Sequence, residues 1–429
     1  MTNLSSNLRL RVGIISDVQG YDFPQDWGMH NCEKAIRILA EKKIDVLLMA
    51  GDLADGGDSV APLQYYQDML HRYFGEKMPV QINCAGNHDF WTHGDSRSQE
   101  QVYRDFCAIA GDPAEDPIRK TIAGYDFIAF STDNKRDYNE AECERLLRPV
   151  IADAVARDPG KPVFVVTHYH PTGTVTGSYN SGRKGLRNVM NDYPQVVSFS
   201  GHTHCPLEDE RCIWQGEFTA VNTASLSYAC VEDRCANLCG PIVPFAREAL
   251  GFMYMEIYDD RLEIHRYNAE DGREIKPDRI WNVALPYSPE KAVYTDARKE
   301  LRKAPEFEAG TEVYFRIDFG YSYLIFDGAE HDDFTHFYRI DITELKDDGT
   351  TEEPMSFRFL SPTFYRLQRN QDHRQVFKVP PNTIEKGKKY RFDVYPVETF
   401  GQEGKPISLT ISVPPHYTIN NSTPPSPQE

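Results

Sequence analysis

Five short apolar runs in the first half of the chain each break off into side chains that an apolar core has no use for. "RLRVGIIS" (9–16) leads into "DVQG", with Asp17 and Gln19, and "DVLLMAG" (45–51) leads into Asp52. "VQINCAG" (80–86) leads into Asn87, His88 and Asp89. "KPVFVVTH" (161–168) ends on His168, and "QVVSFSGH" (195–202) ends on His202, with His204 two residues on. Runs of this length and continuity predict strands buried on both faces. Helical spacing between them, in "NCEKAIRILAEKK" (31–43), "APLQYYQDMLHRYF" (61–74) and "EAECERLLRPVIADAVA" (140–156), predicts an α/β layer structure. In such sheets ligands bind beyond the carboxyl ends of the strands. Core packing gives no reason for five strands in succession to end in carboxylate, amide and imidazole groups.

Two hairpins complete this region, at 118–130 around Ala123-Gly124 and at 251–268 around Asp259-Asp260. The reading is a catalytic-type α/β domain over 1–275, with 205–250 as an insertion before the last hairpin. Residues 276–309 read as a linker. Beyond it "TEVYFRIDFG" (311–320), "FYRIDITEL" (337–345) and "KYRFDVYPVET" (389–399) alternate with period two between Pro/Gly turns, predicting an antiparallel β-sandwich over 310–415. "IEKGKKYRFDVYPVETFGQEGKP" resembles the closing hairpin of fibronectin-type modules, and 416–429 reads as a disordered tail.

The 429 residues suit two domains. With 47 basic against 65 acidic side chains and a net charge of −18, the chain lacks the cationic surface that nucleic-acid binding requires. No run approaches the ~20 apolar residues of a membrane span, and the N-terminus has no signal-peptide core. Nine scattered cysteines predict free thiols in a reducing, cytoplasmic setting. Five of them, Cys205 to Cys239, have the spacing C-x6-C-x17-C-x4-C-x3-C without a C-x2-C pair, so buried or loop thiols are favoured there over a structural zinc.

Carboxylate, amide and imidazole ligands together suit borderline divalent ions such as Mn, Fe or Zn. Two such ions held 3.5 to 4 Å apart clamp a phosphoryl group and its attacking oxygen. An anionic bridge is needed between them, and Asp52 is the candidate. The series D-x-Q, GD, GNHD, H and GHxH, in this order over about residues 9–270, resembles the calcineurin-like metallophosphoesterase superfamily. The resemblance implies a two-sheet α/β sandwich with two metal ions at the strand ends. One ion would take Asp17, Gln19, Asp52 and His204; the other would take Asp52, Asn87, His168 and His202. His88 would donate a proton to the leaving oxygen, Asp89 would orient its imidazole, and a metal-bound hydroxide would attack. Gln19 departs from the pattern, since most members carry His there. An amide oxygen shifts the preference toward Mn or Fe, and it resembles the manganese-dependent diphosphatases of ADP-ribose and CDP-alcohols.

The segment 172–188 falls between two ligand-bearing strand ends and is expected to overhang the site. Asn180, Arg183, Lys184 and Arg187 are its candidate substrate contacts, with Tyr169 and His170 as wall residues. The expected partner is a small phosphomono- or diester, or a nucleotide-linked pyrophosphate, with the β module open to dimerisation or site shaping. An inactive scaffold that binds a protein is the reading of another class. Retention of every ligand and of the GNHD histidine speaks against it.

Overall fold

The computed structural model describes residues 7–21, 26–93, 97–131, 138–231, 246–361 and 373–416. Among these, one unit runs to Asp296 and a second starts at Ala297. Among the described residues the first unit has thirteen strands: β1 (Leu8–Ile15), β2 (Val46–Ala50), β3 (Val80–Cys84), β4 (Ile118–Ile122), β5 (Tyr125–Phe130), β6 (Val163–Thr167), β7 (Val196–Ser200), β8 (Ile213–Gln215), β9 (Thr219–Asn222), β10 (Gly251–Tyr258), β11 (Arg261–Asn268), β12 (Glu274–Ile275) and β13 (Trp281–Ala284). One sheet has the order β12-β11-β10-β1-β2-β3, with β13 also on β11; the other has the order β4-β5-β6-β7-β9-β8. The central strands are parallel in each, β1 with β2 and β3, and β5 with β6, β7 and β9.

The five continuous apolar runs are β1, β2, β3, β6 and β7. β2, β6 and β7 are buried at every residue because both faces are covered. Val12, Ile14, Leu47 and Ile82 of the first sheet share one apolar cluster with Phe127, Phe164, Val166 and Phe199 of the second. Helices Trp27–Glu41 and Ala61–Phe74 add Met29, Ile36, Leu39, Tyr66 and Met69 to that cluster. The outer face of the second sheet packs Ile128, Val165 and Val196 against Leu147, Ile151, Leu186 and Val189. The region is thus a two-sheet α/β sandwich whose parallel strands all deliver their carboxyl ends to one edge.

Three segments differ from the sequence reading. Residues 205–250 hold β8 and β9, and β9 is an integral strand beside β7. Its run is only four residues long, too short to stand out as a buried strand, although it ends on an amide, Asn222. The linker expected from residue 276 begins inside the sheet: Trp281 and Val283 are buried while Asn282 and Ala284 are exposed, and the strand pairs antiparallel with β11. Further on, the Gln215 side chain accepts from the backbone N–H groups of Val293 (2.9 Å) and Tyr294 (3.2 Å), holding that stretch to β8. The helix expected over 140–156 contains a π turn at Cys143–Leu147, where Pro149 follows and has no N–H to donate.

The second unit carries β14 (Tyr314–Asp318), β15 (Tyr321–Asp327), β16 (Phe337–Leu345), β17 (Met355–Leu360), β18 (Arg374–Lys378), β19 (Lys389–Val397) and β20 (Ile407–Ser412). They form two antiparallel sheets, β14-β15-β18 and β17-β16-β19-β20. Leu324, Phe326 and Phe377 meet Tyr338, Ile340, Phe392 and Val394 in one core between them. This unit is all-β. The tail from residue 417 lies outside the described residues, as do Cys235 and Cys239; Cys205 and Cys212 are buried. No helix among the described residues is long and apolar enough to cross a membrane.

The chain just beyond His204 is clamped by an ion cluster. Arg266 of β11, 1% exposed, donates to Leu207 O and Glu210 Oε1 (both 3.0 Å), and its guanidinium lies 4.2 Å above the Trp281 ring. Lys276 Nζ reaches Glu208 O (2.8 Å) and Glu210 Oε1 (3.0 Å), while Trp281 Nε1 donates to Glu210 Oε2 (2.9 Å). Burial would raise the Glu210 pKa, but Arg266 and Lys276 outweigh it and hold the group at about 2. Neighbouring Glu208 has no such partner for Oε2 among the described residues, and burial pushes it up to about 7. Its folded-state pKa lies above the unfolded value, so its contribution is most favourable below pH ~4.5 and is lost as pH rises through about 7. Glu208→Gln is therefore expected to raise thermal stability at pH 8 by up to about 3 kcal/mol, the gain shrinking toward pH 5. Melting curves of both proteins across that range check it.

Candidate metal centre

All seven expected ligands sit on the loops leaving β1, β2, β3, β6 and β7. Five of them, Asp17, Gln19, Asp52, His202 and His204, have φ between 49° and 69°. The left-handed region is costly for side chains other than glycine, and such strain concentrates at functional sites. The glycines of the motifs explain how these residues come so close. A Cβ on Gly201 would overlap Ser16 Oγ and Asp17 Oδ2; one on Gly86 would overlap Asp52 Oδ1, and one on Gly51 the His168 ring. Each glycine is the gap through which a ligand from another strand reaches the site.

His168 is fully buried and its Nδ1 lies 2.9 Å from Ala50 O, which fixes the proton on Nδ1. Its Nε2 is then the nitrogen left for a second proton or a cation, and it faces Asn87 Oδ1 (3.0 Å), Asp52 Oδ2 (3.1 Å) and His202 Nδ1 (3.3 Å). His204 repeats the arrangement, with Nδ1 at 2.9 Å from Tyr228 O and Nε2 at 3.0 Å from Asp17 Oδ1. Ligand atoms of Asp17, Asp52 and His168 all lie within 4.8 Å of one another. Facing lone pairs in a buried site repel unless a proton or a cation lies between them, so this donor set fits divalent ions. Burial and the charge of His168 drive the His202 pKa down to about 2, keeping that ring neutral as a ligand must be. For His168 burial acts downward, but the Asp52 charge outweighs it and lifts the group to about 9. Gln19 is also buried; its Oε1 is placed 2.9 Å from Ser227 Oγ, and its Nε2 has no partner of normal hydrogen-bond geometry among the described residues.

His88 stands beside this group. Its backbone N–H donates to Asp52 Oδ1 (2.9 Å), and its Nε2 lies 3.9 Å from Asp52 Oδ2. The expected orienting role of Asp89 is corrected by the geometry. Asp89 accepts backbone N–H bonds from Asp52 (2.9 Å), Gly86 (2.8 Å) and Ala54 (2.8 Å), tying the β2 and β3 loops together. Burial and the Asp52 charge lift its pKa to about 7. The carboxylate on the His88 ring is Asp55, with Oδ1 at 2.5 Å from Nδ1. Burial lowers the His88 pKa, but the Asp55 bond and the charges of Asp52 and Asp55 raise it overall. Asp55 is the second acid of "GDLAD", and nothing in the spacing says which carboxylate meets the ring. The Tyr21 hydroxyl also engages Asp55, which lifts its pKa to about 12. Trp91 packs on His88 with ring centroids 3.8 Å apart and stays 48% exposed, walling that side.

The candidate substrate contacts separate. Tyr169 lies on His202, with centroids 4.0 Å apart, and the Arg183 guanidinium sits 3.8 Å above the Tyr169 ring, so both belong to the site's wall. His170 does not: it is fully buried, with its ring on Ser200 Oγ (2.5 Å) and Thr203 Oγ1 (2.8 Å), and it braces the GHTH turn from behind. Arg187 is drawn away to Glu217 (2.7 Å) and the Trp214 ring (4.4 Å). Asn180 and Lys184 are exposed and make no hydrogen bond to the site among the described residues.

The first unit is thus an α/β sandwich with a candidate metal-binding cluster at its strand ends. Residues 10–206 match the model of the calcineurin-like phosphoesterase family. Similar solved structures include the purple acid phosphatase PPD1 of yellow lupin (Lupinus luteus) seeds, at 15% identity and TM-score 0.45 over 64% of this chain and 53% of that one. The matched part thus spans about half of the lupin chain. Others are a predicted phosphoesterase of Streptococcus pneumoniae (12%, TM-score 0.30, 64% of this chain and 97% of that one) and Vacuolar Protein Sorting 29 of Cryptosporidium parvum (13%, TM-score 0.32, 65% and 98%). No curated protein sequence matches the chain.

Gly201→Ala tests the packing on which the centre depends. The added methyl has to displace Asp17 or the GHTH turn, so the purified variant is expected to retain less metal than the wild type by elemental analysis, while its far-UV circular dichroism is unchanged.

Proposed function

We propose that the chain is a hydrolase of a small phosphomono- or diester that works with two divalent ions. One ion would be held by Asp17, Gln19, Asp52 and His204, and the other by Asp52, Asn87, His168 and His202. The observation that carries this is the convergence of Asn87 Oδ1 (3.0 Å) and Asp52 Oδ2 (3.1 Å) on His168 Nε2, with Nδ1 of that ring on Ala50 O. Bound there, a pair of divalent ions supplies Lewis acidity toward a phosphoryl oxygen and lowers the pKa of a coordinated water. Asn87 and Gln19 contribute neutral oxygens, which limits the negative charge an anionic substrate meets.

The remaining steps belong to the chain's own groups. Asp55 accepts from His88 Nδ1 and fixes the ring so that Nε2 points toward the Asp52 side of the site. A proton held at Nε2 is then placed for the departing oxygen. Arg183, stacked on Tyr169 above His202, presents a cation to a non-bridging phosphoryl oxygen or a second anionic group. Asp89 binds backbone and leaves proton transfer to His88.

Asp52→Ala is expected to remove both metal and turnover. His88→Ala is expected to keep the metal and lower kcat by about 10²- to 10⁴-fold. Metal analysis combined with a panel of p-nitrophenyl phosphate, bis-p-nitrophenyl phosphate, ADP-ribose and CDP-choline, with Mn, Fe or Zn added back, checks both and separates ester from pyrophosphate hydrolysis. Full turnover by Asp52→Ala would end this reading.

A further inference from the structure

We propose that Ser227, backed by Ser225, is a positioning residue that turns the Gln19 carbonyl toward the ion held by Asp17 and His204. This rests on the ligand set proposed above. Both serines lie on the loop leaving β9, a sixth strand end that reaches the site. Ser225 Oγ donates to the Asp17 backbone oxygen (3.1 Å), stands 3.0 Å from Ser227 Oγ, and accepts from the Ser227 N–H (3.0 Å). Ser227 Oγ lies 2.9 Å from the terminal atom of the Gln19 amide. A continuous chain of polar atoms therefore runs from Gln19 to the main chain of Asp17, joining two ligands of the same ion.

Hydrogen counting gives that chain a direction. Each hydroxyl has one hydrogen to donate, and the O and N ends of an amide are assigned from their partners. With Gln19 Oε1 on Ser227, Nε2 is the inward atom, buried and without an acceptor of normal geometry among the described residues. An inward N–H is also the wrong pole for a cation. With the amide turned, Nε2 donates to Ser227 Oγ, Ser227 donates to Ser225 Oγ, and Ser225 donates to Asp17 O. Both hydroxyl hydrogens and one of the two amide hydrogens then have an acceptor, and Oε1 faces the site. The Tyr228 phenol also interacts with this same amide. Histidine at position 19 would have no amide to orient, so the serine pair is the companion of the glutamine in this chain.

The test is a double-mutant cycle on the full-length, chelator-stripped chain titrated with Mn(II) by calorimetry. Wild type takes two ions. Ser227→Ala is expected to weaken one of them by about 10- to 100-fold and leave the other unchanged. In a Gln19→Ala background the same substitution is expected to cause no further weakening, because the group it positions is gone. Ser227→Thr keeps the hydroxyl and is expected to bind as wild type. The proposal is overturned if Ser227→Ala binds both ions normally, if it weakens binding equally with and without Gln19, or if the threonine variant is as weak as the alanine. Fewer than two ions on the wild-type chain would remove the ligand set itself, a separate failure from these.

Discussion

Two carboxylates, Asp17 and Asp52, are held at most 1% exposed and close enough to share a ligand cluster with His168. Bringing like charges together away from water costs several kcal/mol unless a positive charge lies between them. The rest of the first unit is arranged around that requirement. The His168 and His204 imidazoles, each with Nδ1 on a backbone carbonyl (Ala50 O and Tyr228 O), direct Nε2 at these carboxylates, and no lysine or arginine takes part in those contacts. A core built for stability alone would have paired the acids with a basic side chain, as Glu210 is paired with Arg266 and Lys276 in the same unit. The contrast between these two buried acid clusters marks one as a clamp and the other as a receptacle for cations.

The fold delivers the receptacle by a single device repeated at each strand end. A parallel strand buried on both faces stops, the backbone turns through the left-handed region, and the next side chain points back over the edge. Asp17, Asp52 and His202 each follow this course, and Gly51, Gly86 and Gly201 provide the space that lets loops from different strands interleave. Asp89 ties the β2 and β3 loops through three backbone N–H groups, while His170 and Asn222 hold Thr203 inside the GHTH turn. Strain at the ligands is thus carried by buried polar bracing behind them.

Much of this was legible in the sequence because each ligand directly follows an apolar run, where polar side chains have no packing role. The strand-end placement of the seven candidate ligands follows from that pattern, while the two-sheet sandwich was implied by the motif resemblance. What it concealed depends on contacts made in three dimensions. Asp55 and Asp89 are both acids near His88 in sequence, and only the turn geometry decides that one meets the ring and the other the backbone. Arg187 looked like an anion contact until Glu217 and Trp214 took it up. β9 and β13 are four residues each, too short for periodicity to declare, and the serines beyond β9 are ordinary loop residues until their hydrogen bonds are followed to Gln19 and Asp17.

The central claim is that Asp52 serves two ions at once, which makes their separation the decisive quantity. Electron paramagnetic resonance of the chain loaded with two equivalents of Mn(II) reads it directly. Ions about 3.5 to 4 Å apart, bridged by one carboxylate, give the spectrum of an exchange-coupled pair. The account predicts that spectrum, and its loss on Asp52→Ala. Two equivalents bound with only the hyperfine pattern of isolated manganese would contradict it.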